Sequence, residues 1–282
     1  MEKKEAVRQS AQNAEEYADK DDFRPGPGTG TPFKKIELTA FKIKLLAMGA
    51  MLADNFATIV LLGGMMAAAG TVPTGGFDLT NPWHMVFKIL NGFGQMAYPL
   101  FAFLAVQGYL HTRSKWFYIG RMMAGALISQ IPFSLAFYGQ ILVTSQTNAF
   151  FTLLLGLLGI YLCDCAVIAA RGSKYLGWLM MVPCVYICFF AGSYVLKCSF
   201  GGLGVLMVVF FYLFREKELW RDVIFAILVL LFGVAGPAAL FCVIVFRLYN
   251  GELGYQSKGM QYAFYLVYPL HLLLFYGLSM MF

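Results

Sequence analysis

"DVIFAILVLLFGVAGPAALFCVIVFRL", residues 222–248, is a run of 27 residues that is apolar almost throughout. As one straight helix it would be roughly 40 Å long at 1.5 Å per residue, against a bilayer core of about 30 Å. "FGVAGPAA" interrupts it near the centre, where glycine loosens a helix and proline removes a hydrogen bond. The run is therefore either one kinked helix or two short helices in a hairpin. The choice sets the parity of the whole chain, because it decides on which side of a membrane the last helix begins.

A membrane is the right solvent to consider. Of 282 residues, 60% are hydrophobic and only 13% charged, about half the charged share of a soluble domain. Residues 1–35 hold seven basic and seven acidic side chains, so the remainder carries the whole net charge of +6. Apolar runs fall near 42–69, 86–110, 116–138, 149–170, 175–196, 200–214, 222–248 and 261–281. Breaks with Arg113 and Lys115, with Arg171 and Lys174, and with Arg215, Lys217 and Arg221 alternate with "GTVPTGGFDLTNPWH" and "YGQILVTSQTN", which hold no Lys or Arg. The positive-inside rule makes the first group cytoplasmic. Arg247 and Lys258 flank a further break that suits the cytoplasm only if 222–248 crosses twice. The expected fold is thus all-α, a polytopic membrane bundle of about nine transmembrane helices with the C-terminus outside and Gly236 near the outer surface. Eight helices is the alternative.

The first stretch differs. "EKKEAVRQSAQNAEEYADKDD" has no apolar face, and "RPGPGTGTP" is a linker by composition. Residues 1–35 are expected to be a disordered cytoplasmic tail rather than a signal peptide, and 36–282 the membrane domain. The six cysteines lie in or near apolar runs, and Cys184 and Cys188, which share a helix face, have no His or carboxylate company, which fits small buried hydrophobes. No phosphate loop, dinucleotide fingerprint, zinc motif or nucleic-acid signature occurs, so no metal and no nucleic-acid partner is expected.

Ionisable groups inside spans are costly and mark packing pairs or functional sites. Helical rise puts Asp54 and His271 at matching depth, and Arg121 and Asp164 likewise. Arg121 and Asp164 are expected to neutralise each other across adjacent helices. A carboxylate beside an imidazole orients the ring as a general base needs, so Asp54 and His271 are the catalytic candidates. A packing pair without chemistry is the other reading. Asn91 and Gln95 share a helix face that Tyr98 continues, and Asn55, Gln107, Gln130 and Ser134 add neutral polarity. Pro99, Pro132, Pro183 and Pro269 kink their spans, and the kinks near His271 and Asn91 point to a cavity. In "HTRSKWFYIGR", His111, Arg113, Lys115 and Arg121 can dock an anionic cofactor such as coenzyme A, although topology alone also explains the charges.

The stretches "FKIKLLAMGAMLADN", "AYPLFAFLAVQGYLHTRSKWFYIGRM", "ALISQIPFSLAF", "NAFFTLLLGLLGIY", "FGGLGVLMVVFFYLF", "LYNGELG" and "YAFYLVYPLHLLLFY" together resemble the TraX family of membrane proteins over residues 36–282. The resemblance implies a membrane-embedded acetyltransferase of the bacterial inner membrane, related to multi-helix acyltransferases and tied to pilus assembly. It would transfer acetyl from acetyl-CoA to an amine of a small protein, peptide or sugar. His271, His111 and Asp54 match family positions. His271 would deprotonate the acceptor, Asp54 orient it, and Asn55 and Asn91 steady the oxyanion, with Gln95, Tyr98 and Gln130 lining the acceptor site. The chain departs from the family where Asn55 replaces a common His, Gln107 and Gln130 replace Glu, and Ser134 replaces Asp. Those changes keep hydrogen bonds but remove proton acceptors. They leave a non-catalytic assembly factor, or a small-solute transporter, as rival functions.

Overall fold

The structure, a computed structural model, describes residues 37–70, 81–231, 237–255 and 257–282. The tail expected over 1–35 and the position expected for Gly236 lie outside the described residues. Among the described residues ten α-helices follow one another: α1 (Ala40–Asn55), α2 (Pro82–Gly94), α3 (Ala97–Leu110), α4 (Lys115–Tyr138), α5 (Ala149–Ala169), α6 (Lys174–Phe190), α7 (Gly201–Leu213), α8 (Glu218–Leu231), α9 (Cys242–Leu248) and α10 (Lys258–Ser279). A π-helix, Phe56–Met66, continues α1, a second, Ala191–Val195, continues α6, and a 3-10 turn, Pro237–Phe241, leads into α9. No strand occurs among the described residues, only two isolated backbone bridges, Leu38 with Tyr249 and Thr147 with Cys198.

Local chemistry marks the helix ends. The Asn81 side chain accepts from Trp83 N with Pro82 at the first helical position, and Asn148 caps α5 in the same way through Phe150 N. Ser257 starts α10 by accepting from Met260 N. Gly139, with φ of 65°, ends α4 in the left-handed region that other residues avoid. The first N–H groups of α1 are satisfied by chain from the far end of the sequence: Ala40 N donates to Glu252 O and Phe41 N to Leu253 O.

The main buried cluster runs through α1, α3, α4, α5, α7, α8 and α9, with Ile43, Leu100, Leu157, Ile160, Val208 and Phe225 essentially sealed, and smaller clusters flank it. Small residues set the closest approaches, as expected where helices associate by packing rather than by a hydrophobic drive. A Cβ added at Gly156 would lie 2.5 Å from Val208 Cβ, so α5 and α7 meet over a bare backbone.

The opening run turns back on itself. Arg247 Nε donates to Asp222 Oδ2 at 2.5 Å, Arg221 Nε donates to Asp222 Oδ1 at 3.0 Å, and Arg247 pairs with Glu218 at 3.2 Å. A straight helix would hold residues 222 and 247 about 37 Å apart. α8 and α9 are therefore not one straight helix: the end of α9 returns to the start of α8, as the two arms of a hairpin would. Arg221 is buried between the rings of Phe103 and Phe246, which ties the hairpin's base to α3.

Five stretches are long and apolar enough to cross a membrane: Ala40–Met66, Pro82–Leu110, Ala149–Ala169, Lys174–Val195 and Tyr262–Ser279. Gly201–Leu213 and Ala238–Leu248 are apolar but shorter. At 24 residues α4 has the length, yet it carries Lys115, Arg121 and Gln130 and is not among the five. Length and composition thus do not reach the expected count of about nine among the described residues.

Candidate functional site

Three helices lose their regularity at one depth. The first span passes from α to π geometry directly after Asp54 and Asn55. The second breaks at Gln95 and Met96, between α2 and α3. The last carries Pro269 two residues before His271. π-Turns and broken helices inside a membrane persist where the freed backbone faces protein or a wet pocket, and they collect at functional sites.

The polar side chains at this level form two separate groups. Asn91 Nδ2 donates to Asp54 Oδ1 at 2.8 Å, and Gln95 Nε2 donates to Asn91 Oδ1 at 3.4 Å. Asn55 Nδ2 lies 2.7 Å from His271 Nε2, and His271 Nδ1 lies 2.7 Å from Val267 O. A carbonyl only accepts, so Nδ1 carries the proton and Nε2 offers its lone pair to the Asn55 amide. Asn55 and His271 are buried, and the imidazole meets Tyr268 and Phe275 edge-on at 5.6 Å and 5.5 Å.

His271 does point at the first span, as its depth suggested, but its partner there is Asn55 and not Asp54. Successive residues of a helix are about 100° apart, so neighbours at one depth face different helices. Asp54 faces α2 and Asn55 faces α10. Gly94 lets α2 come so close to Asp54: a Cβ there would sit 2.8 Å from Asp54 Cα and 2.9 Å from Asp54 Cγ.

On the side of the helix ends that carry Lys42, Arg113 and Lys258, a cleft of about 290 Å³ opens between α1, α3, α4, α5 and α10. Three helical stripes line it. On α1 they are Lys44, Met48 and Met51; on α3, Phe101, Leu104, Gly108 and His111; on α10, Phe264, Tyr265 and Tyr268. Each follows the i, i+3, i+4 spacing of one helix face. Lys44, Gln107, His111, Thr112, Arg121 and Ser257 supply the polar lining, and among the described residues no Asp or Glu lines the cleft. Lys44 Nζ sits 4.5 Å from the centre of the Phe264 ring, and the Arg121 guanidinium 5.7 Å from that of Tyr118. The imidazole of His111 is steadied by Gln107 O, 2.8 Å from Nδ1.

Of the four residues expected to dock an anion, His111 and Arg121 line this cleft and Arg113 and Lys115 do not. Lys115 Nζ donates to Tyr109 O at 2.7 Å and lies over the Tyr109 ring. Lys44 was missed. The spacing 44, 48, 51, 55 marks it as the near end of the stripe that leads to Asn55.

Other expectations are corrected. Gln130 spends its amide on the loop after α4: Nε2 donates to Val143 O and Gln146 O, and Oε1 accepts from both nitrogens of Asn148. Ser134 Oγ accepts from Val143 N in the same loop. Tyr98 does not continue the Asn91–Gln95 face, because the break at 95–96 turns it away to stack on Phe200 at 3.8 Å. Asp164 is not neutralised by Arg121; it accepts from Tyr109 OH at 2.7 Å and Tyr212 OH at 2.5 Å.

An all-helical membrane protein with a cationic cleft beside a midplane imidazole is the class that fold and site define. Within it, the chain belongs to the TraX family: residues 40–279 match the family described as TraX protein. It is 27% identical to the "Probable fimbrial assembly protein FimC, serogroup H1" of Dichelobacter nodosus, across 86% of this chain and 96% of that protein. No solved structure matches.

Proposed function

We propose that this chain is an acyltransferase of pilus biogenesis, moving acetyl from acetyl-CoA to an amine of a small protein, peptide or sugar within the inner membrane. Family membership and the fimbrial relative support the setting. The observation that carries the chemistry is the cleft, with Lys44, His111 and Arg121 in its walls, no carboxylate there among the described residues, and Met51 and Tyr268 at its end toward the Asn55–His271 pair. Lys44, Arg121 and His111 would hold phosphates by charge and hydrogen bonds. Along α1, Asn55 lies about 16 Å beyond Lys44, a separation suited to an extended phosphopantetheine arm.

Acetyl-CoA would supply the acyl group as a thioester: the amine nitrogen bonds to the acetyl carbon, the C–S bond breaks, and CoA leaves as the thiol with the proton that His271 has taken. His271 Nε2 would take the proton of the acceptor amine, with Nδ1 held by Val267 O so that the ring keeps its orientation. Nε2 is engaged by Asn55, so the base is released when that amide turns toward the developing oxyanion. Asp54 acts apart from the imidazole: only its Oδ1 is bonded, by Asn91, which leaves Oδ2 to receive an acceptor ammonium.

For topology, the proposal keeps nine crossings with a cytoplasmic N-terminus, α8 and α9 counting as two. The Asp222–Arg247 contact supports it by returning the chain to the side it left. A non-catalytic assembly factor is favoured by one observation, that Nε2 is already committed to Asn55. Purified protein in nanodiscs, incubated with labelled acetyl-CoA and candidate amines, tests the proposal. Labelled product supports it; neither product nor thermal stabilisation by CoA leaves the assembly factor.

A further inference from the structure

The cleft stops one turn short of the imidazole, and what stops it is specific. On α1 the stripe runs Lys44, Met48, Met51, Asn55; the first three line the cleft and the fourth does not. On α10, Tyr265 and Tyr268 line it while His271, three residues on, does not. Met51 and Tyr268 therefore stand between the cleft and the Asn55–His271 pair. They differ in stiffness. Tyr268 is 8% exposed and wedged between rings, 4.9 Å from Phe150 and 5.6 Å from His271. Met51 is only partly buried and packs on the edge of the cluster of Ile59, Phe133, Tyr268 and Leu272. An unbranched thioether changes rotamer at little cost, whereas a ring locked among rings does not.

We infer that Met51 and Tyr268 form the floor of the cleft and set the length of acyl chain it accepts, Met51 as the movable half and Tyr268 as the fixed half. This rests on the reading of the cleft as a CoA-thioester site. A ligand with its phosphates at Lys44 and Arg121 directs its acyl end at this floor. A two-carbon group passes once Met51 turns aside, and the carbonyl then reaches Asn55 and His271. Each further methylene must displace the Tyr268 ring or find room that Met51 occupies. A single methylene that does not fit an apolar pocket is worth about tenfold or more in selectivity.

The test is a titration of the full chain in nanodiscs with CoA, acetyl-CoA, butyryl-CoA and hexanoyl-CoA, with empty nanodiscs subtracted. The unaltered chain should bind acetyl-CoA at least about tenfold more tightly than hexanoyl-CoA. Met51→Ala should remove or invert that preference, and Met51→Phe should weaken butyryl-CoA and hexanoyl-CoA relative to CoA. If the three proteins share one chain-length profile, the floor assignment falls and the CoA site stands. If CoA does not bind the unaltered chain, both fall. A second measurement is independent of how the variants fold: in the unaltered chain, bound butyryl-CoA should shield Met51 from peroxide oxidation more than CoA does. Equal oxidation of Met51 under both ligands would overturn the assignment.

Discussion

The hairpin at 222–248 can be tested directly, and the whole orientation of α10 depends on it. Glu218 and Arg247 pair at 3.2 Å between side chains that are 61% and 39% exposed, so both are open to reagents. In one continuous helix the same positions would stand about 44 Å apart at 1.5 Å per residue. With Glu218→Cys and Arg247→Cys in a chain freed of its six native cysteines, a short bifunctional thiol reagent should join the two positions within one molecule. Asp222 keeps Arg221 in that variant, so the base of the hairpin is not stripped of charge compensation. Arg247→Ala alone should cost about 1–3 kcal/mol, since it removes charge-assisted bonds to Asp222 while the partly exposed half of the network counts for little. Mass spectrometry of the cross-linked peptide reads the first result and thermal unfolding in nanodiscs the second. Two accessible cysteines that label singly yet never cross-link would refute the hairpin and turn α10 over.

Further variants probe the site and its supports. Gly94→Ala should destabilise by about 1–3 kcal/mol, read as a lower melting temperature, because the new methyl collides with Asp54 and outweighs the gain alanine brings to a helix. Gln130→Ala should free residues 141–148 to rapid hydrogen exchange, since two bonds to the carbonyls of Val143 and Gln146 and two to Asn148 disappear; unchanged protection would show that the loop holds itself. His271→Asn should fold normally yet transfer no acetyl group, because an amide keeps hydrogen bonding but cannot take the proton; full activity in that variant would reduce His271 to packing.

The all-helical, membrane character was legible because apolar length is a one-dimensional signal. The interruption of 222–248 was visible as Gly and Pro, and its meaning came from Arg247 and Lys258 beyond it. Depth was legible too, since it is a residue count times a rise. That is why His271 was placed beside the right part of the first span. Azimuth was not legible. Asp54 and Asn55 differ by one residue in depth but by about 100° in direction, and depth alone picked the carboxylate over the amide. The same limitation misassigned Asp164, whose partners Tyr109 and Tyr212 lie on α3 and α7. Tyr98 failed for another reason. The i, i+3 rule holds only inside one helix, and Gly94 and Pro99, which bracket Gln95–Met96, signalled a kink in one span rather than a break between two helices. Lys44 was readable from its spacing to Asn55, but a lysine near a helix start resembles an ordinary flank charge.

The four positions where this chain departs from its family sort by what their side chains do here. Gln130 Nε2 donates to two carbonyls, a task that an ionised glutamate cannot perform. Asn55 Nδ2 donates to the lone pair of His271 Nε2, and a histidine in its place would have to offer an N–H in the same direction. Ser134 only accepts, from Val143 N, which a carboxylate could do equally well. Gln107 is different again. It lines the cleft beside His111, where a carboxylate would offset Lys44 and Arg121, and as an amide it leaves their charge uncompensated. An anion entering the cleft therefore meets a more positive wall than it would with glutamate there. Two of the departures are thus built into local hydrogen bonding, and a third strengthens the attraction that an anionic acyl donor requires. Loss of proton acceptors at these sites does not weaken the binding half of the proposed reaction. In that proposed reaction it would concentrate the proton transfer on His271 and leave Asp54 as the carboxylate for the acceptor.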